Sequence, residues 1–419
     1  MLSVNSPKRK NKTGGRTGAY WDDYYPGYSE HFTREIIRSS GLDKSSLILD
    51  PWNGSGTSTW AASRSGFRSI GIDLNPVMKI IALARQATIH DAKVMKKCLG
   101  ALKFIERENG GIDDPLGVWF DKTGVMILRE VENGILGNQN YPSTREKIDS
   151  LAIVQCLMYV ALFNVVRDHL RPFTCSNPTW IKKPGTDTGK ISLDWVSFET
   201  EYRSALERIM EKASLIDQAN LSGPSKLYIE SSSKMSLRDE YVDLILTSPP
   251  YCTRIDYGIA TLPELSMVAV GGIREIDAIR RDLMGATTVP KETGVVPEGC
   301  GRTCIEFLER VKTHPSKASR SYYHKNLARY FSTLRESVSE IARVLKRGCR
   351  AVCVVQDSFY KDIHCDLSGI VTDMAELSGL RLVGTKHFKA GSNMANVNTS
   401  GRNYRAANTA FETVLTLEK

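Results

Sequence analysis

A chain of 419 residues with 41% hydrophobic content can bury a core and hold two or three domains of ordinary size, which excludes a disordered polymer. Its 56 Lys+Arg against 47 Asp+Glu leave a formal net charge of +9, a balance that suits a polyanionic partner without identifying one. Nine cysteines without regular spacing form no disulfide framework, and the N-terminus carries no apolar stretch of the kind a secretory leader needs, so a reduced, cytoplasmic setting is expected.

Residues 1–19 hold Lys8, Arg9, Lys10, Lys12 and Arg16 and no acid, and read as a disordered basic tail. Residues 20–89 open an α/β unit: a strand at Leu47-Ile48-Leu49-Asp50, a turn from Pro51 to Thr57, a helix, a second strand ending at Asp73, and a helix after Asn75-Pro76. The alternation then stops. Residues 90–222 read as a mainly helical insert, with Ile148 to Leu170 its most apolar part and an amphipathic helix from Phe198 to Asp217. The longest apolar run, Leu151 to Val166, is broken by Gln155 and Asn164 and is too short to cross a bilayer, so no membrane partner is expected.

Strands resume over 223–253, at Lys226 to Ile229 and Val242 to Leu246. A second insert is expected over 254–320, and the last part of the catalytic domain over 321–419: a helix from Tyr322 to Leu345, a Lys346-Arg347-Gly348 turn, a strand from Arg350 to Val355, a helix near Ser368 to Leu377, and strands at Leu380 to Gly384 and Phe411 to Leu417. The expected fold is an α/β, doubly wound, Rossmann-like sheet interrupted by two inserts. Cys300, Cys304, His314 and His324 match no common zinc spacing, and no metal is assigned.

In such a sheet ligands sit beyond the carboxyl ends of the strands, which places Asp50, Pro51, Asn53, Gly54, Gly56, Thr57 and Asp73 around one crevice. Gly54 and Gly56 let the backbone approach a ligand, and Asp73 is placed to accept both hydroxyls of a ribose. The turn has neither the lysine of a phosphate loop nor the third glycine of a dinucleotide fingerprint. A nucleoside without phosphate but with an amino-acid end, whose ammonium Asp50 would bind, fits these constraints; S-adenosylmethionine is such a molecule. A tight turn with two structural glycines remains the alternative.

The second pattern is an apolar strand running into Ser248-Pro249-Pro250-Tyr251. Two prolines fix the backbone, remove two N–H donors and leave carbonyls outward. If the Ser248 hydroxyl and the Pro249 carbonyl accept the hydrogens of an exocyclic amine, its lone pair is drawn out of conjugation, while Tyr251 stacks on a base flipped from the duplex.

Asp50-Pro51-Trp52-Asn53-Gly54-Ser55-Gly56-Thr57 together with Ser248-Pro249-Pro250-Tyr251 resembles the S-adenosylmethionine-dependent amino-methyltransferase family of DNA enzymes, whose motifs read Asp-Pro-x-x-Gly-Ser-Gly-Thr and Asp/Asn/Ser-Pro-Pro-aromatic. Tyr25-Pro26-Gly27-Tyr28-Ser29 is similar to the family's cofactor-capping segment and adds Tyr25 to the cofactor set. The resemblance covers residues 20–88, 225–260 and 321–419 and implies a methyltransferase sheet, S-adenosylmethionine as cofactor and double-stranded DNA as partner. Serine at the first catalytic position is similar to enzymes acting on cytosine N4, with adenine N6 as the alternative and transfer to RNA, or a binding subunit without catalysis, further off. Methylation of cytosine C5 uses a cysteine nucleophile, usually after proline, and the chain has no Pro-Cys pair. Where the family places an acid after the third strand, this chain has Glu230-Ser231-Ser232-Ser233; Asp357-Ser358 falls where the family lines its base pocket, and Asn177-Pro178-Thr179-Trp180 mimics the catalytic motif without its second proline. Base recognition is divided between the two inserts, with Arg274, Arg280, Arg281 and Arg302 among the candidates for phosphate contact. A cognate restriction or defence nuclease is a further candidate partner.

Overall fold

A computed structural model describes residues 2, 4–7, 27–101, 114–174, 180–216, 223–252, 256–286, 298–389 and 411–419. Helix α1 (Glu30–Ser39) leads into β1 (Leu47–Asp50), α2 (Thr57–Arg64), β2 (Arg68–Ile72) and α3 (Pro76–Arg85). The apolar run of β1 is buried on both faces, as a strand flanked by parallel neighbours and covered by helices must be. Asn75 caps α3 through its side chain, and Pro76 starts the helix where no N–H is needed.

The helical insert follows as α4 (Ile89–Ala101), α5 (Lys122–Leu136), α6 (Thr144–Asp149), α7 (Ile153–His169) and α8 (Trp195–Ser214). The most apolar stretch, Ile148 to Leu170, spans the end of α6 and all of α7, because Ser150 caps the end of α6 and Ala152 is extended. Strands β3 (Ser225–Tyr228) and β4 (Val242–Thr247) come next, then α9 (Tyr257–Ala260), α10 (Leu262–Val268), α11 (Gly272–Asp282) and α12 (Arg302–Thr313). The remainder is α13 (His324–Val344), β5 (Leu345–Gln356), a hairpin of β6 (Ser358–Tyr360) and β7 (Ile363–Cys365), α14 (Leu367–Leu377), β8 (Arg381–Lys389) and β9 (Phe411–Glu418).

The main sheet has seven strands in the order β3-β2-β1-β4-β5-β9-β8. From β3 to β5 neighbouring strands run parallel, whereas β9 is antiparallel to both β5 and β8. This is the doubly wound methyltransferase-type sheet expected from the sequence, with one correction. The final strand is reversed: β9 runs antiparallel to both of its neighbours, whereas the strands from β3 to β5 are parallel. Chain order moves outward on one side from β1 to β2 and β3, and on the other from β4 to β5, so the switch point lies between β1 and β4. A crevice opens at the carboxyl ends of those two strands.

Three further expectations need correction. Lys346-Arg347-Gly348 is not a turn before β5 but a bulge within it: Val242 pairs with Leu345 while Leu244 pairs with Arg350, and Gly348 takes a φ of +73°. The start of the basic tail is docked, since the Ser29 amide donates to the Pro7 carbonyl at 2.8 Å and Leu2 and Val4 pack on the cluster beneath α1; residues 8–26 lie outside the described set. The second insert is not one unit. Apolar side chains of α10 and α11 join a core with α3, α5, α7 and α8, whereas Cys304, Phe307, Leu308 and Val311 of α12 join α13 and α14 over the sheet.

The helical insert and the α10–α11 part of the second insert are thus one lobe, joined by buried charge. Arg129 on α5 donates to the carbonyls of Met267 (2.7 Å) and Ser266 (2.8 Å) at the end of α10, and Lys147 donates to that of Val268 at 3.0 Å. Asp114 and Glu132 neutralise these cations, with Arg129 Nε 2.7 Å from Asp114 and Arg129 Nη1 2.6 Å from Glu132. The arginine and lysine therefore arrive paired at carbonyls that a helix end leaves without internal partners. Among the described residues, no helix is long and apolar enough to cross a membrane.

Candidate active site

The crevice holds a cavity of about 160 Å3 whose wall includes Asp50, Pro51, Asn53, Gly54, Thr57, Asp73 and the whole of Ser248-Pro249-Pro250-Tyr251. The two sequence patterns, about 200 positions apart, therefore meet at one switch point. Ser231 and Ser232 after β3, Tyr257 on α9, and Asp282, Leu283 and Met284 at the end of α11 and just beyond it complete parts of the wall.

Asp50 ends β1 and is 2% exposed. Its Oδ1 accepts from the Thr247 hydroxyl at 2.6 Å and the Trp52 amide at 3.1 Å; its Oδ2 accepts from the Ser58 hydroxyl at 2.6 Å and the Tyr28 hydroxyl at 3.0 Å. Burial raises its pKa, opposed by these donors. Asp73, after β2, accepts the amides of Gly54 (2.9 Å) and Asn75 (2.8 Å), and burial pushes its carboxyl up to about 6. Among the described residues, no salt bridge reaches either acid. Two carboxylates with only uncharged donors, on one wall, suit a cationic ligand that carries hydroxyls, and so fit a sulfonium nucleoside with an ammonium end.

The glycines divide their work. Gly54 adopts φ +48° and lines the cavity. Gly56, at φ +85°, turns the side where a Cβ would stand toward Ala82, whose Cβ would lie 2.7 Å away, and it is absent from the wall. Gly56 serves the packing of α2 on α3, not ligand approach. A third glycine was not singled out in the sequence: a Cβ on Gly71 of β2 would lie 2.5 Å from the Asn53 side chain, so Gly71 makes the space that Asn53 occupies. Asn53 is buried, its amide donating to the Ile72 carbonyl at 2.9 Å and its Oδ1 accepting from Thr59 at 3.1 Å. Thr57 accepts from buried Arg85 at 3.0 Å.

Tyr25 lies outside the described residues, but Gly27 and Tyr28 of the same segment cap the cavity. A Cβ on Gly27 would stand 3.4 Å from Ser248 Oγ and 3.9 Å from the Tyr251 hydroxyl, so this backbone crosses directly over the Ser248–Tyr251 tetrapeptide. Glu230 turns away, accepting the amide (3.1 Å) and hydroxyl (2.7 Å) of Ser236, which leaves Ser231 and Ser232 on the wall. Asp357 bonds His364 at 3.0 Å and, with Ser358, takes no part in the wall. Cys252 is buried in the core beside Cys365. Asn177, Pro178 and Thr179 lie outside the described residues. Arg280 pairs with Asp256 and Asp277, and Arg302 with Glu306, so those cations already have acids.

No family model matches the chain. Among known proteins it is similar to the type II methyltransferase M.BsoBI of Geobacillus stearothermophilus, 24% identical over 65% of this chain and 56% of that enzyme, so the match spans little more than half of the relative's length. It is also similar to the type II methyltransferase M.AvaI of a Nostoc strain and of Anabaena variabilis, 22% identical in each case over 86% of this chain and 79% of that enzyme. Solved structures aligned with it include a SAM-dependent methyltransferase from Methanosarcina mazei (10% identity, TM-score 0.31, covering 95% of this chain and 99% of that one) and the YcgJ protein of Bacillus subtilis (9%, 0.32, 92% and 98%). With both motifs on one cavity and this likeness over much of its length, the chain resembles the S-adenosylmethionine-dependent amino-methyltransferases of DNA.

Proposed function

We propose that the protein transfers a methyl group from S-adenosylmethionine to an exocyclic amino group of a flipped base in duplex DNA, and that the base is cytosine, modified at N4. The observation that carries the reading is the convergence of Asp50, Gly54 and Asp73 with Ser248-Pro249-Pro250-Tyr251 on one cavity. The likeness to type II methyltransferases supports DNA as the substrate class. The choice of cytosine rests on Ser248 alone. A cognate nuclease as partner is proposed from the likeness to type II methyltransferases alone.

S-adenosylmethionine, when bound, supplies a methyl group activated by a sulfonium charge. The protein's own residues do the rest. Asp73 accepts ribose hydroxyls, and the buried charge of Asp50 draws the cationic end of the ligand to the end of β1. Ser248 and the Pro249 carbonyl accept hydrogen bonds from the N–H groups of the target amine, which exposes its lone pair, and Tyr251 supports the base by stacking. Alignment of amine and methyl provides much of the rate. The segment of Gly27 and Tyr28 over the tetrapeptide helps exclude water from the reacting groups.

The test is incubation with labelled S-adenosylmethionine and duplex DNA, followed by nucleoside analysis. N4-methylcytosine is the expected product. N6-methyladenine would move the base assignment while keeping the reaction, and label on RNA alone, or on no nucleic acid, would overturn the reading.

A further inference from the structure

The peptide between Pro250 and Tyr251 is held at both of its polar ends. Its carbonyl accepts the Tyr330 hydroxyl of α13 at 2.7 Å, and its N–H donates to the Tyr257 hydroxyl of α9 at 3.2 Å. After two prolines this is the first N–H the loop offers. The orientation of that plane decides where the Tyr251 ring points. We propose that Tyr257 and Tyr330 are positioning residues that clamp the Pro250–Tyr251 peptide and thereby aim the Tyr251 ring for the transfer step, an inference that rests on the function proposed above.

Both phenols suit the task. Tyr330 is 4% exposed, and burial raises its pKa; burial likewise pushes Tyr257 up to about 12, with the charge of Asp73 acting in the same direction. Each hydroxyl therefore stays protonated at any working pH: Tyr330 remains a donor to the carbonyl, and Tyr257 accepts the N–H without becoming an anion on the pocket wall. The two arms come from different parts of the molecule. Tyr330 stands on a helix packed over the sheet, and Tyr257 on the lobe built from the inserts.

The Tyr257 arm is also joined to the cofactor side. Asn75, whose amide binds Asp73, donates through Nδ2 to Thr261 Oγ1 at 2.8 Å, and Thr261 Oγ1 donates to the Tyr257 carbonyl at 3.0 Å. Asp256 fixes the start of α9 by accepting the Ile259 amide at 3.0 Å, and the Arg280 stem packs so closely on Gly258 that a Cβ there would stand 2.5 Å from it. The insert lobe is thus a strut between the end of β2 and the catalytic loop.

The test is a double-mutant cycle of Tyr257→Phe and Tyr330→Phe. Each single variant is expected to lower kcat about tenfold or more while leaving the Kd for S-adenosylhomocysteine within about twofold, and the double variant to lose less than the product of the two, because both hold one plane. Thr261→Ala should lower kcat in the same direction, with Thr261→Ser restoring it. An unchanged kcat with a lowered melting temperature, or a loss of cofactor affinity parallel to kcat, would overturn the clamp. Amide hydrogen exchange at Tyr251 needs no substrate: about tenfold faster exchange in Tyr257→Phe supports the clamp and unchanged exchange overturns it. A wild-type protein that transfers no methyl to DNA yet shows the expected exchange would count against the proposed function alone.

Discussion

Lowering the pH from 7 to 5 should weaken cofactor binding through Asp73. Its carboxyl has a pKa of about 6 because burial disfavours the charged form more than two amide donors favour it. A ribose held by two hydroxyl donors needs an acceptor, hence the ionised carboxylate. With a pKa near 6, roughly nine-tenths of the sites are competent at pH 7 and roughly one-tenth at pH 5. Apparent affinity scales with the competent fraction, so the Kd should rise about tenfold across that interval, about 1.4 kcal/mol. The sign for folding is the opposite of that for binding. A carboxyl whose pKa is raised in the folded state opposes folding when ionised, and protonation as the pH falls through about 6 relieves that penalty. Weaker binding at pH 5 would therefore not be an acid unfolding effect of this group. Titration calorimetry with S-adenosylhomocysteine from pH 5.0 to 7.5 measures the slope, and Asp73→Asn should bind more weakly at every pH and lose the pH dependence. A flat wild-type profile, or an unchanged slope in the variant, would refute the assignment of Asp73 to the ribose.

Ser248→Ala removes one acceptor from the target amine and should reduce methyl transfer by about 100-fold while S-adenosylhomocysteine binds within about twofold; an equal loss of both would make the turn structural. Gly71→Ala places a methyl group 2.5 Å from the Asn53 side chain and should destabilise the fold by about 1–3 kcal/mol and weaken cofactor binding, read by denaturant melts and calorimetry. Arg129→Leu leaves Asp114 and the carbonyls of Ser266 and Met267 without their cation and Glu132 with Lys147 alone, and a loss of about 3–5 kcal/mol is expected in chemical denaturation.

What the sequence made legible was local. Apolar runs ending in Asp50, Asp73 and Ser248 are short enough to read as strands, and a strand followed by a rigid turn is recognisable without any partner. Most of the pocket wall follows from those runs once the sheet is doubly wound. The positions that escaped are those whose role depends on what another segment brings. Gly71 reads as a weak point inside β2 until Asn53 is seen beside it, and Gly56 reads as a ligand-facing glycine until Ala82 occupies that side. Tyr257 and Tyr330 sit in an irregular stretch and on an amphipathic helix with nothing local to mark them. Strand direction was hidden too, since Phe411 to Glu418 carries the same apolar pattern whichever way it runs. The division of the second insert between two cores is likewise a fact of packing that no boundary residue announces.

The bonds from Arg129 and Lys147 to the last turn of α10 bear on how such a protein can exchange segments with a relative. Residues 114–216 and 256–286 are separated in the chain by β3, β4 and the catalytic tetrapeptide, yet neither completes its polar pairing without the other. Transplanting the first insert alone from a relative would leave three carbonyls facing side chains not matched to them. The exchangeable cassette is therefore discontinuous. A chimera that moves both pieces together is expected to keep its stability, and one that moves either by itself to lose it, which ties change in one piece to matching change on the other side of the Ser248–Tyr251 tetrapeptide.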